Sequence, residues 1–187
     1  MKYFALYLVI ILSACQPVEK NILIGLDNNQ FKKISISADK IEIIEIYDSV
    51  ISAPYIDYSL DNPPIYFLKS WLSNNIELIG KENRLEIKIF DSSLKRIEIE
   101  NTNKKQFEEK FIYSYEINYL VEYNLYDDSN FMLASTLVET FRTTTSSKFI
   151  SINERDLILE ELIYLSLADF IDESKKLMSE YMEGHIL

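Results

Sequence analysis

The chain reads as an α+β fold in which two amphipathic helices pack on one face of a mainly antiparallel sheet of about four to five strands. Three observations predict it. Apolar residues take every second position from Phe111 to Leu125, the mark of a long strand with one buried face. Asp127-Asp128-Ser129-Asn130 then separates that run from Phe131 to Thr143, as the turn of an antiparallel hairpin. Two stretches with apolar residues near helical spacing, one around Trp71 and one after Ser151, need somewhere to bury their stripes, and a sheet face provides it.

Taken in order, Ile34, Ile36, Ile41, Ile43 and Ile46 predict a first strand over residues 33–47. Ala53 to Tyr58 predicts a second extended piece with Pro54 at its start or on an edge. Asp61-Asn62-Pro63-Pro64 is a helix entry, and Leu68, Leu72, Ile76 and Ile79 continue with helical spacing beside Phe67 and Trp71. Gly80 is the expected stop. Leu85, Ile87 and Ile89 alternate with Glu86 and Lys88 as a half-buried strand, and Ile97 and Ile99 resume it after a bulge or turn at Asp91-Ser92-Ser93. Residues 101–110 form a polar loop before the long aromatic strand and its hairpin partner. Ser151-Ile152-Asn153-Glu154 matches a capping box. The closing helix is expected to run to about Met182, with Leu159, Ile163, Leu167, Phe170, Leu177 and Tyr181 buried, Asp169, Asp172, Glu173, Lys176, Glu180 and Glu183 wet, and Gly184 as its stop.

The N-terminal residues give an address. Lys2 precedes an apolar run from Tyr3 to Leu12, too short to span a bilayer but suited to a signal peptide. The run ends in Leu12-Ser13-Ala14-Cys15, which looks like a bacterial lipobox and makes Cys15 the expected lipidation site. A signal cleaved without lipid, or a buried N-terminal helix with an incidental cysteine, are the alternatives. The expected organisation is a signal peptide over 1–14, a lipidated tether over 15–30 and a single domain over 31–187. Cys15 is the sole cysteine, so no intrachain disulfide can form. A net charge of −11 argues against nucleic acid and against a polybasic membrane patch as partners. The membrane is reached through the lipid.

Little in the composition supports catalysis or a cofactor. Gly25, Gly80 and Gly184 are too few and too scattered for a phosphate-cradling loop. The sole histidine, His185, follows the last helix, which leaves no zinc set and no Ser-His-Asp or Cys-His arrangement of ordinary form. The adjacent carboxylates Asp127 with Asp128, Glu108 with Glu109, and Glu160 with Glu161 diverge on a strand or helix, so such pairs seldom share a proton. A pair assembled from distant segments stays open as an enzymatic alternative. No catalytic, metal or cofactor-binding residue is therefore assigned. Tyr113, Tyr115, Tyr119 and Tyr123 project from one face of one strand, with Trp71 as a companion. They form either a slot for a lipid or other amphipathic ligand, with hydroxyls at its rim, or a core face under two helices.

With these elements in place, the chain is similar to small envelope lipoproteins that serve multi-component transport systems. Its layout resembles ABC-type transport auxiliary lipoproteins and the lipoprotein subunit of the lipopolysaccharide-assembly translocon. The Ala53-Pro54-Tyr55 segment, Trp71 in the first helix and Asn153-Glu154-Arg155 opening the last one resemble a family of small proteobacterial envelope lipoproteins with no assigned activity. After its cysteine this chain reads Gln16-Pro17-Val18-Glu19, whereas the assembly lipoprotein usually continues with a Gly-Phe-Arg-Pro type of stretch. The resemblance implies a lipid-anchored, periplasm-facing accessory or scaffold protein with other envelope proteins as partners. A module binding an amphipathic ligand is the alternative. Gln16, rather than Asp, after the lipidated position leans towards the outer membrane by analogy with enteric sorting rules.

Overall fold

The aromatic alternation after Phe111 builds the middle of a four-stranded sheet. The structure, a computed structural model, describes residues 31, 33–102, 104 and 109–186. Its strands are β1 (Ile34–Ile36), β2 (Lys40–Glu45), β3 (Ile76–Leu78), β4 (Arg84–Glu100), β5 (Phe111–Tyr126) and β6 (Met132–Ser146). Its helices are α1 (Pro64–Asn75) and α2 (Ile152–Tyr181). The protein is α+β, with a mainly antiparallel sheet in the order β2-β4-β5-β6 and a small second sheet made of β1 and β3.

β5 pairs antiparallel with both long neighbours, so Leu125 lies between Leu85 and Ala134, and Tyr119 between Ser92 and Thr140. The Asp91-Ser92-Ser93 irregularity is a bulge inside one continuous β4. The register slips between Ile89 and Asp91, leaving Phe90 unpaired, and the Asp91 carboxylate accepts from Ser93 N and Asn118 Nδ2, both at 2.9 Å. In the hairpin turn, Asp127 Oδ1 accepts from Ser129 N and Phe131 N at 2.8 Å, and Asn130 takes a φ of 61°. Asparagine tolerates that left-handed conformation, which explains the turn composition.

The first strand is divided. One strand over 33–47 is the sequence expectation, but a bend at Ser37–Asp39 separates β1 from β2. β1 then pairs parallel with β3, and β2 pairs parallel with the first half of β4. The extended piece at 53–58 is also shorter than expected. Tyr55 makes a single bridge to Lys95, the Ala53–Pro54 peptide is cis, and Asp57–Ser59 turn as one 3₁₀ turn.

α1 starts later than the expected entry, in which a capping residue precedes both prolines: Pro63 is the N-cap, no side chain caps the helix, only Pro64 lies in the first turn, and the helix ends at Asn75 rather than Ile79. Asn74 Nδ2 donates back to Ser70 O at 2.8 Å, taking a carbonyl of the last turn, and Ile76 to Leu78 leave as β3. Gly80 is therefore no helix stop. Its backbone runs against β1's exit, where an added Cβ would fall 2.6 Å from Ala38 N and 2.8 Å from Ser37 C. Gly80 N donates to Ala38 O at 3.1 Å across that contact.

The capping box of α2 is formed. Glu154 N donates to Ser151 Oγ at 3.2 Å, and Ser151 N donates to Glu154 Oε2 at 2.8 Å. The buried stripe differs from expectation at its C-terminal end. Tyr181 is 57% exposed and Leu177 only half-buried, whereas Ser174 and Met178 are buried. Steps of four residues from Phe170 hold the inner face, while Leu177 and Tyr181 drift off it. Beyond Gly184, with φ at 85°, Ser37 N donates to His185 O at 2.8 Å and Ile186 bridges to Ile36. The core gathers Ile36, Leu68, Trp71, Leu85, Ile87, Tyr119, Tyr123 and Phe170 with their neighbours from both sheets and both helices.

Candidate functional site

The tyrosine ladder is where function and core compete for the same residues. Because β5 alternates, Tyr115, Tyr119 and Tyr123 project to one side, and all three are buried. Phe170 from α2 meets Tyr119. Its ring lies 5.5 Å from that of Tyr119, and 6.1 Å from that of Trp71 in an edge-to-face arrangement. Small residues on α2 make room for the phenols. The Tyr123 hydroxyl is 3.4 Å from Ser174 Oγ, and Ser166, whose hydroxyl donates to Ile163 O, faces Tyr119. Burial pushes the pKa of both phenols upward, with these serines opposing slightly. Trp71 Nε1 and Ser92 Oγ are buried without a hydrogen-bond partner among the described residues.

Tyr113 does not join the buried group. It is half-buried near the far end of β5, with the Arg96 guanidinium 4.7 Å and the Lys148 ammonium 5.5 Å from its ring centroid. The four tyrosines thus split into three core rings and one that carries cations. Ser166 and Ser174 are absent from the stripe expected for the last helix. Serines four residues before and four residues after Phe170, on the helix face that meets the tyrosines, are the signal that could have found them.

A second polar cluster was invisible to sequence reasoning. Asp57, only 2% exposed, accepts hydrogen bonds on Oδ2 from the Tyr47 hydroxyl at 2.9 Å and from the Ser49 hydroxyl. Burial, then the hydrogen bond to Asp57, raises the Tyr47 pKa. Ile56 N donates to Leu94 O and Arg96 N to Pro54 O, both at 2.9 Å, which fixes this segment to β4 beyond its bulge. The cluster ties the crossover between β2 and α1 to itself, and the backbone bonds to Leu94 and Arg96 fasten it to the sheet.

The carboxylate pairs remain apart in their roles. Asp127 is spent on the hairpin turn, and Asp128 is exposed. Glu109 accepts from the Ser147 hydroxyl, which chiefly lowers its pKa, and from Lys148 N at 2.9 Å. Glu108 lies outside the described residues. Glu160 and Glu161 are exposed on α2. Among the described residues no three His, Cys, Asp or Glu side chains converge as a metal site, and no helix is long and apolar enough to cross a membrane. A groove of about 400 Å³ opens between the two helices, lined by Leu60, Phe67, Arg155, Glu160 and Ile163 among others. Cys15, Gly25 and the whole expected signal and tether fall outside the described residues. No protein-family model matches the chain, and a search of curated proteins finds no match.

Proposed function

We propose that this chain is a bacterial envelope lipoprotein, anchored through Cys15 and facing the periplasm, that works by contact as a non-catalytic accessory or scaffold component of a transport or envelope-assembly complex. The observation that carries the reading is Leu12-Ser13-Ala14-Cys15 placed directly behind a basic residue and an apolar run. Acyl chains on Cys15 would each add ~0.8 kcal/mol per buried CH₂, which anchors a domain without a membrane-spanning helix. Gln16 favours the outer membrane in this reading. The two helices cover one face of the four-stranded sheet and fill it with the rings of Trp71, Tyr119 and Phe170. The opposite face keeps Leu133, Leu137 and Phe141 exposed and is the side offered to other proteins.

Metabolic labelling with a palmitate analogue tests the anchor. Wild type should carry the label and sediment with membranes, and Cys15→Ser should lose both. Label retained by Cys15→Ser overturns the assignment. Native mass spectrometry of the protein released from the envelope tests the mode of action, with a co-purifying envelope protein and no stoichiometric phospholipid expected. A bound phospholipid that disappears in Tyr119→Ala would instead favour the amphipathic-ligand module.

A further inference from the structure

The chain enters the domain at one end of the groove between the helices. Phe31 is the first described residue, and its ring lies 5.7 Å from that of Tyr164 on α2. Its carbonyl accepts a hydrogen bond at 3.0 Å from Nδ2 of Asn75, the last residue of α1. Residues four apart on a helix share a stripe. Asn75 is therefore in line with Trp71 and Phe67, and Tyr164 is in line with Glu160 and Asp156. Phe67, Glu160 and Asp156 line the groove, whose volume is about 400 Å³, and Leu159 and Ile163 give it an apolar floor. Its open part thus begins eight residues back along both helices from Phe31, which is about 12 Å at 1.5 Å per residue.

The sequence ahead of Phe31 suits that space. From Lys20 to Gln30 the residues are polar except for one run, Ile22-Leu23-Ile24-Gly25-Leu26. Its large aliphatic side chains favour a surface that removes them from water. Asp27 to Gln30 separate the run from Phe31. An extended chain covers that separation with a reach of about 17 Å, enough to bring Leu26 to the open part of the groove.

We infer that residues 22–26 dock into the groove between α1 and α2 as an intramolecular strap, with Leu26 beside Phe67 and Ile163 and the run continuing towards Asp156. A segment joined to its site by so short a link has an effective concentration of the order of mM. A groove affinity of only about 0.1 mM then keeps it docked in roughly ten chains of every eleven. Docking sets how far the N-terminal end stands from the domain. With the strap in place, residues 15–21 span the gap, about 25 Å at full extension, whereas with the strap released residues 15–30 span about 55 Å. A ligand that fills the groove lengthens the reach. The inference is independent of how the N-terminal region is anchored.

Thiol accessibility and crosslinking decide it, in full-length chains carrying Cys15→Ser. Glu160→Cys, at an exposed position on the rim, should react with a maleimide about 10-fold more slowly than the same variant with residues 22–26 replaced by Gly and Ser. Glu161→Cys, also exposed but outside the groove lining, should react at one rate with and without the replacement. Under mild oxidation Ile24→Cys should form an intrachain disulfide with Glu160→Cys and not with Glu161→Cys. A rate at Glu160→Cys that ignores the replacement, or equal crosslinking to both positions, overturns the proposal. So does protection of Glu160→Cys that appears only as protein concentration rises, which would assign the groove to a second copy.

Discussion

The ring of Phe170 lies 5.5 Å from that of Tyr119, joining the longest helix to the central strand. Both side chains are fully buried, and Trp71 completes the contact from α1. Phe170→Ala should therefore cost about 3–5 kcal/mol by opening a cavity at this junction. Tyr119→Asp should cost several kcal/mol by burying an unpaired charge. Glu116→Gln, on the other face of β5, should change stability by no more than ~0.5 kcal/mol. Urea unfolding of the three variants checks the ranking, and equal losses in all three would contradict it.

The same tyrosines set an alkaline limit. An exposed tyrosine has a pKa of 10.0, and burial raises both Tyr119 and Tyr123 above it. The stability each contributes by staying protonated is complete below that ordinary value and is lost as pH rises towards the raised one. Moving from about pH 8 to about pH 11 should lower the wild-type urea midpoint more than that of the Tyr119→Phe, Tyr123→Phe double variant. Parallel curves would show that other groups govern the alkaline limb.

Gly80 tests the small sheet. A methyl group there would press on the backbone of Ser37 and Ala38, which cannot swing away as a side chain would. Gly80→Ala should cost about 1–3 kcal/mol, as overpacking does. Hydrogen exchange should accelerate at Ile34–Ile36 and Ile76–Leu78 and stay slow at the centre of β5. Unchanged protection in β1 and β3 would mean that their junction relaxes around the methyl group.

The start of α2 offers a local test. Ser151→Ala should cost about 1 kcal/mol, and Ser151→Asp should recover most of it, measured by thermal unfolding. Hydrogen bonds from the Ser151 backbone N–H and hydroxyl lower the Glu154 pKa below its ordinary value. The cap's contribution is thus present above the ordinary carboxylate pKa and fades as pH falls through the lowered one. In acid the Ser151→Ala difference should shrink without vanishing, because the bond from Glu154 N–H to Ser151 Oγ does not titrate, and a constant difference at every pH would contradict the pairing.

The long-period elements were readable because one signal dominated each of them. From Phe111 to Leu125 every alternate residue is apolar, and the capping box at Ser151 and Glu154 is local chemistry. The short elements were not readable, because the sequence supports two periods at once. Ile76 continues the helical spacing of Leu68 and Leu72, yet Ile76-Glu77-Leu78 also alternates as a strand. What decides is the parallel pairing with Ile34–Ile36, and a partner so distant leaves no local trace. Asp57 was missed for the same reason, since Tyr47 and Ser49 become its donors only after the chain has turned back. The tyrosines were legible as a face, but not the Ser166 and Ser174 positions that accommodate them.

The bridge between Ile36 and Ile186 has a consequence for the order of assembly. β1 emerges early in synthesis, yet its contacts lie with β3 and with residues that follow the last helix. β2 likewise waits for β4, which arrives only after α1 has crossed over. The hairpins β4-β5 and β5-β6 join neighbours in sequence and can nucleate first, as low loop-closure entropy favours. The isoleucine-rich segment of β1 and β2 therefore stays unpaired through most of translation. During that interval its β-branched segments are exposed to aggregation, and a holding chaperone would find its substrate there rather than in the aromatic centre.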